Sequence, residues 1–129
     1  MRMPSSLAVF TRRFFDAYAR GDLDAAASCL AHDVVASVTN ASGRGEAVRG
    51  RDEYIRRVPD LHAVGGSLEV TQLLEIDDET TLTMVEIRAH RSDKDLHNFA
   101  AFLARVHGDL ITHLWMVDAK PAYSEEFWS

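Results

Sequence analysis

Two apolar runs of matched length, Leu96 to Val106 and Asp109 to Asp118, flank the pair His107-Gly108, and no other stretch limits the fold as much. The alanines of the first run would suit a helix, but a glycine-containing pair between two apolar runs is a short-range hairpin signal. With His107 and Gly108 as the loop, Val106 faces Asp109. The register then pairs Ala104 with Ile111, Phe102 with His113, Ala100 with Trp115 and Asn98 with Val117. Side chains alternate along a strand, so these residues share one face. The opposite face carries Phe99, Ala101, Leu103, Leu110, Leu114 and Met116, and both faces are therefore largely apolar.

An antiparallel sheet in a small domain normally keeps one face wet. Here one face is expected to meet the chain's own helices and the other a second sheet. That second sheet comes most economically from another copy, giving a homodimer through the outer sheet face. Asn98 and His113 are the main polar groups on the first face, and each needs a partner from the protein or from a ligand.

The chain has 129 residues, which predicts one domain spanning 1–129 with a sizeable core. Its 14 Lys and Arg against 20 Asp and Glu give a net charge of −6, which argues against nucleic-acid and anionic-membrane partners. Arg51, Arg56 and Arg57 cluster, but Asp52 and Glu53 sit among them, as on a solvated helix face. The lone Cys29 in an apolar run reads as an inert buried thiol. With no secretory signal and no long apolar run, a cytoplasmic location is expected.

In chain order, Ser5 and Ser6 are plausible N-caps for a helix with the stripe Leu7, Phe10, Phe14, Ala17 and Tyr18. Gly21 ends it, and Asp22 caps a second helix over Leu23 to Leu30. A strand over Asp33 to Thr39 and a turn-rich loop lead to a third helix, Arg51 to Val58, stopped by Pro59, with Tyr54, Ile55 and Val58 inward. Long strands follow over Leu68 to Ile76 and Thr80 to Arg91. On the latter, Thr83, Val85, Ile87 and Ala89 form one face, while Leu82, Met84, Glu86, Arg88 and His90 form the other, which is expected to look outward. The tail from Ala119 carries Pro121, Tyr123, Phe127 and Trp128 and should lie across the domain. This order predicts an α+β domain with helices on one side of a mostly antiparallel sheet.

Phe14-Phe15-Asp16-Ala17-Tyr18-Ala19-Arg20-Gly21-Asp22-Leu23-Asp24, followed by Leu30-Ala31-His32-Asp33-Val34, resembles the opening of the SnoaL-like branch of the nuclear transport factor 2-like superfamily. Gly50 to Ile55 resembles its third-helix entry, and Gly108 to Asp118 its last strand. The resemblance implies a cone-shaped α+β barrel, with three helices of the N-terminal half packed on a strongly curved sheet around a mostly apolar pocket. Members include steroid isomerases, polyketide cyclases, epoxide hydrolases, dehydratases and domains without a reaction, so fold alone does not choose among them.

Ketosteroid isomerase chemistry needs a carboxylate base, a tyrosine and a protonated acid. The resemblance sets these at Val38, Phe14 and Phe102, and all three groups are missing. The arginine and two aspartates of limonene epoxide hydrolase would fall on Val85, Ile87 and Trp115, and the acid of aldol-type cyclases near Trp115. Asp118 survives on the strand face opposite His113 and Trp115, where a structural role at the strand end or a general-base role is open.

The predicted pocket thus holds His113 as its group titrating near neutrality, with Tyr18, Tyr54, Asn98, Phe102 and Trp115 as ligand contacts. The functional expectation is a small hydrophobic molecule in an apolar pocket, with a His113-dependent isomerisation, dehydration or cyclisation. The alternatives are a core histidine bonded to a neighbour and a non-catalytic binding or dimerisation module. No metal-ligand cluster and no cofactor motif is visible.

Overall fold

A computed structural model describes residues 6–129. The elements are α1 (Ser6–Ala19), α2 (Leu23–Ser28), β1 (Leu30–Thr39), β2 (Gly45–Arg49), α3 (Arg51–Arg57), β3 (Ser67–Glu75), β4 (Thr80–Arg91), β5 (Lys94–His107), β6 (Leu110–Asp118) and α4 (Pro121–Trp128), with a 3₁₀ turn at His62–Val64. The strands form one sheet in the order β2-β1-β6-β5-β4-β3, antiparallel except for the parallel pair β1 and β6. The architecture is α+β as expected, with two amendments. The sheet is mixed and open, with β2 and β3 at its edges, and a fourth helix joins the three. No helix among the described residues is long and apolar enough to cross a membrane.

The local signals act where the sequence places them. Gly21 takes φ 81° after α1, and Asp22 accepts a hydrogen bond from the Ala25 N–H at 3.0 Å, starting α2. The second helix is shorter than expected, because Leu30 already belongs to β1. Of the two serines expected to cap α1, Ser5 lies outside the described residues.

The core lies between the helices and one sheet face. Phe15, 2% exposed, packs edge-on against Phe102 of β5 at 5.0 Å between ring centroids. Val85 of β4 and Leu114 of β6 are 1% exposed beneath the helices. Thr11 of α1 reaches the same layer. Its hydroxyl donates to the Leu7 carbonyl at 2.9 Å, which leaves Thr81 as donor in their 3.1 Å contact. Neighbouring Thr83 has no such outlet. Its Oγ1 is the one sealed side-chain polar atom without a partner among the described residues. A buried hydroxyl without a partner costs stability, whereas an isosteric methyl does not. Thr83→Val is therefore expected to raise the unfolding free energy by about 1 kcal/mol in urea titrations; a loss of 1 kcal/mol would contradict the assignment.

The hairpin differs from expectation in two places. The loop is Gly108-Asp109, with His107 paired to Leu110, and both loop residues have positive φ, 57° and 63°, as a type I′ turn requires. A bulge then falls between the pairs Val106 with Ile111 and Arg105 with His113, leaving Thr112 as the extra residue. Because side chains alternate, that single residue exchanges the faces of the rest of β6. Ile111 faces the core as expected. Beyond the bulge, Leu114, Met116 and Asp118 face the helices, while His113, Trp115 and Val117 face away. The expectation that His113 and Trp115 lie on the inner face is thereby corrected.

Candidate functional site

A cavity of about 260 Å³ lies between the helices and the inner sheet face. Its apolar wall includes Val38 of β1, Val48 of β2, Leu68 of β3, Ile87 of β4 and Met116 of β6. Phe14, Phe15 and Tyr18 of α1, Tyr54 of α3, Phe102 of β5 and Trp128 of α4 add aromatic surface. The alternation along each strand brings these residues to one side, and α4 contributes Ser124 as well as Trp128. Phe14, Val38 and Phe102, where the isomerase groups would fall, all line this cavity and offer only hydrocarbon.

Of the residues expected at the pocket, Tyr18, Tyr54, Asn98 and Phe102 line the cavity together. His113 and Trp115 do not. Their rings stack on each other at 5.5 Å and 13°, and His113 Nδ1 lies 3.3 Å from Thr112 Oγ1. Trp115 is 37% exposed on the outer face. Glu86 and Arg88 also face outward and pair at 3.3 Å, with His97 Nε2 2.7 Å from the same Glu86 oxygen.

The polar corner of the cavity is built around Asp118. Asn98, 2% exposed, donates from Nδ2 to Asp118 Oδ1 at 2.6 Å and accepts the Phe99 N–H on its own Oδ1 at 2.8 Å. The Lys120 N–H donates to the same Asp118 oxygen at 2.8 Å. Thr39 holds the backbone below: its Oγ1 accepts the Asp118 N–H at 3.1 Å and donates to the Met116 carbonyl at 3.0 Å. Asp118 Oδ2 has no partner among the described residues. The sequence placed Asp118 correctly on the face opposite His113 and Trp115, but assigned that face to the outside. The cavity also takes in Thr39, Arg57, Ser124 and Trp128, which the sequence did not assign to the pocket. Arg57 is paired with Glu46 at 3.0 Å.

The two tyrosines differ in their hydroxyls. Tyr18 donates to the Pro59 carbonyl at 2.5 Å. Tyr54 lines the cavity without a protein partner for its hydroxyl among the described residues. Burial pushes both phenols well above the ordinary tyrosine value, and for Tyr18 the neighbouring Tyr54 and Asp60 add to the effect. Both therefore serve as neutral hydrogen-bonding groups across the physiological range. No group of three or more His, Cys, Asp or Glu among the described residues is arranged to hold a metal ion.

The SnoaL-like domain family model matches residues 11–114. An uncharacterised protein of Mycobacterium tuberculosis is 35% identical over 121 residues, covering 92% of each chain. Among solved structures, an NTF2-like protein of unknown function from Burkholderia pseudomallei superposes with a TM-score of 0.80 at 16% identity, covering 98% of this chain and 100% of that one. A protein with a cystatin-like fold from Xanthomonas campestris gives 0.76 at 14%, covering 97% and 99%. These structures share the fold, and the family match shares the sequence pattern as well. The chain belongs to the SnoaL-like domain family.

Proposed function

We propose that this protein is a ligand-binding module whose cavity takes one small, largely apolar molecule with a polar end. The observation that carries this reading is an apolar cavity lined in part by Tyr54 and Asp118, whose hydroxyl and Oδ2 respectively have no protein partner among the described residues. Drying such atoms against an apolar wall costs free energy that a ligand's hydrogen bonds would recover. A His113-dependent isomerisation, dehydration or cyclisation draws no support from this geometry, because the imidazole stacks on Trp115 outside the cavity. The non-catalytic binding reading is the one we adopt.

We further propose that two copies pair through the outer sheet face. One cross-strand row there runs Leu74, Leu82, Leu103 and Trp115, and the next runs Gln72, Met84, Ala101 and Val117. Leu74, Met84, Phe99 and Val117 are 51%, 42%, 42% and 62% exposed, a concentration of apolar surface beyond scattered single residues. Native mass spectrometry of freshly purified protein tests both readings. A dimer with a reproducible small-molecule adduct is expected, with Val117→Lys weakening the dimer by about 10–100-fold. A clean monomer at low micromolar concentration would refute the pairing. A dimer still without an adduct after incubation with small apolar compounds would count against the binding reading.

A further inference from the structure

The polar corner of the cavity specifies the charge of its ligand, an inference that rests on the ligand-binding reading above. Asp118 Oδ1 is taken by two neutral donors, Asn98 Nδ2 at 2.6 Å and the Lys120 N–H at 2.8 Å. Oδ2 faces no donor among the described residues, and no cationic side chain among them pairs with this carboxylate. Arg57 lines the same cavity but is bound to Glu46 at 3.0 Å, and Lys120 Nζ stands 5.8 Å from the Tyr123 ring centroid. Asp118 is half-buried, and the donors that reach it are neutral amides rather than a cation.

The rest of the wall favours the missing charge. Phe14, Phe15, Tyr18, Tyr54, Phe102 and Trp128 bring six aromatic rings to a cavity of about 260 Å³. Ring faces carry negative electrostatic potential and attract cations. An anionic ligand would meet the carboxylate as a like charge, and a ketone would bring an acceptor to an acceptor. We propose that the ligand is an organic cation, a primary or secondary ammonium on an apolar body, whose N–H donates to Asp118 Oδ2. Asn98 is a positioning residue: its carboxamide cannot turn without losing its bonds to both Asp118 and the Phe99 N–H.

Three probes sharing one apolar body separate the possibilities: 1-naphthylmethylamine, 1-naphthylmethanol and 1-naphthoate. Calorimetric titration of the whole protein at pH 7 is expected to show one amine per chain, at least about tenfold tighter than the alcohol, with naphthoate weakest. Asp118→Asn, which keeps the shape and removes the charge, is expected to abolish the amine's advantage over the alcohol. Equal or tighter binding of the alcohol or naphthoate to the unaltered protein overturns the inference, as does an amine preference that survives in Asp118→Asn. The probe series on the unaltered protein gives this answer whether or not the variant folds. Binding of none of the three refutes the pocket reading, and the inference falls with it; binding without amine preference refutes the inference alone.

Discussion

Gly21→Ala is expected to lower the unfolding free energy by roughly 2–4 kcal/mol, a drop of about 10 °C in Tm for a domain of this size. Two costs combine at this position. Gly21 holds φ 81°, a left-handed conformation that side chains with a Cβ adopt only under strain. A Cβ built there would also stand 2.7 Å from both Cβ and Cγ of His62, the stem of the side chain rather than its flexible end. The α1–α2 turn and the 3₁₀ turn at His62–Val64 would have to separate. That movement reaches the site, because Tyr18 lies three residues before Gly21 and donates to Pro59 just ahead of the 3₁₀ turn. Gly43 supplies the control. It holds a similar φ of 82° with nothing within 4 Å of a built Cβ, so Gly43→Ala pays the conformational cost alone, about 1 kcal/mol. Equal effects of the two substitutions in urea unfolding would contradict the packing account.

The second large effect is alkaline. Tyr18 and Tyr54 keep their protons in the folded protein well above the ordinary phenol value of 10.0, chiefly because burial disfavours the phenolate. Above pH 10 the unfolded chain releases these protons while the folded chain retains them, so stability falls as pH rises. The contribution is fully present below pH 10. Each tyrosine costs about 1.4 kcal/mol per pH unit beyond it, so the pair removes about 3 kcal/mol by pH 11. Urea unfolding at pH 7 and pH 11 reads this directly, and Tyr54→Phe is expected to remove about half of the difference. A difference that persists in full when both Tyr18 and Tyr54 are replaced by Phe would show that other groups carry it.

Much of the scaffold was legible in local chemistry. Gly21 and Asp22 mark the α1–α2 junction through a left-handed φ and a side-chain cap. The alternation on β4 put Thr83, Val85 and Ile87 inward and Met84, Glu86 and Arg88 outward, as found. The same reasoning put Asn98, Ala100 and Phe102 on the inner face of β5. It failed on β6 for a specific reason. A bulge adds one residue without any compositional mark, and Thr112 is an ordinary strand residue. Ile111 before it and Leu114 after it are both fully buried, at odd and even positions respectively. On a hairpin apolar on both faces, no polar stripe reports the exchange. The Asn98–Asp118 pair depends on that exchange, so alternation without the bulge sets the cavity's carboxylate on the outer face.

On the proposed reading, the inner face of this sheet, ending in Asp118, lines a ligand-binding cavity, while His113 and Trp115 face away from it. Methyl-resolved NMR during titration with 1-naphthylmethanol tests it most directly. Val38, Ile87 and Met116 line the cavity, whereas Leu103 and Val117 lie on the outer face. Saturable shifts of the first three methyl groups, with Leu103 and Val117 unmoved, are the predicted result. Shifts confined to Leu103 and Val117, or none at all, would refute binding in the inner cavity.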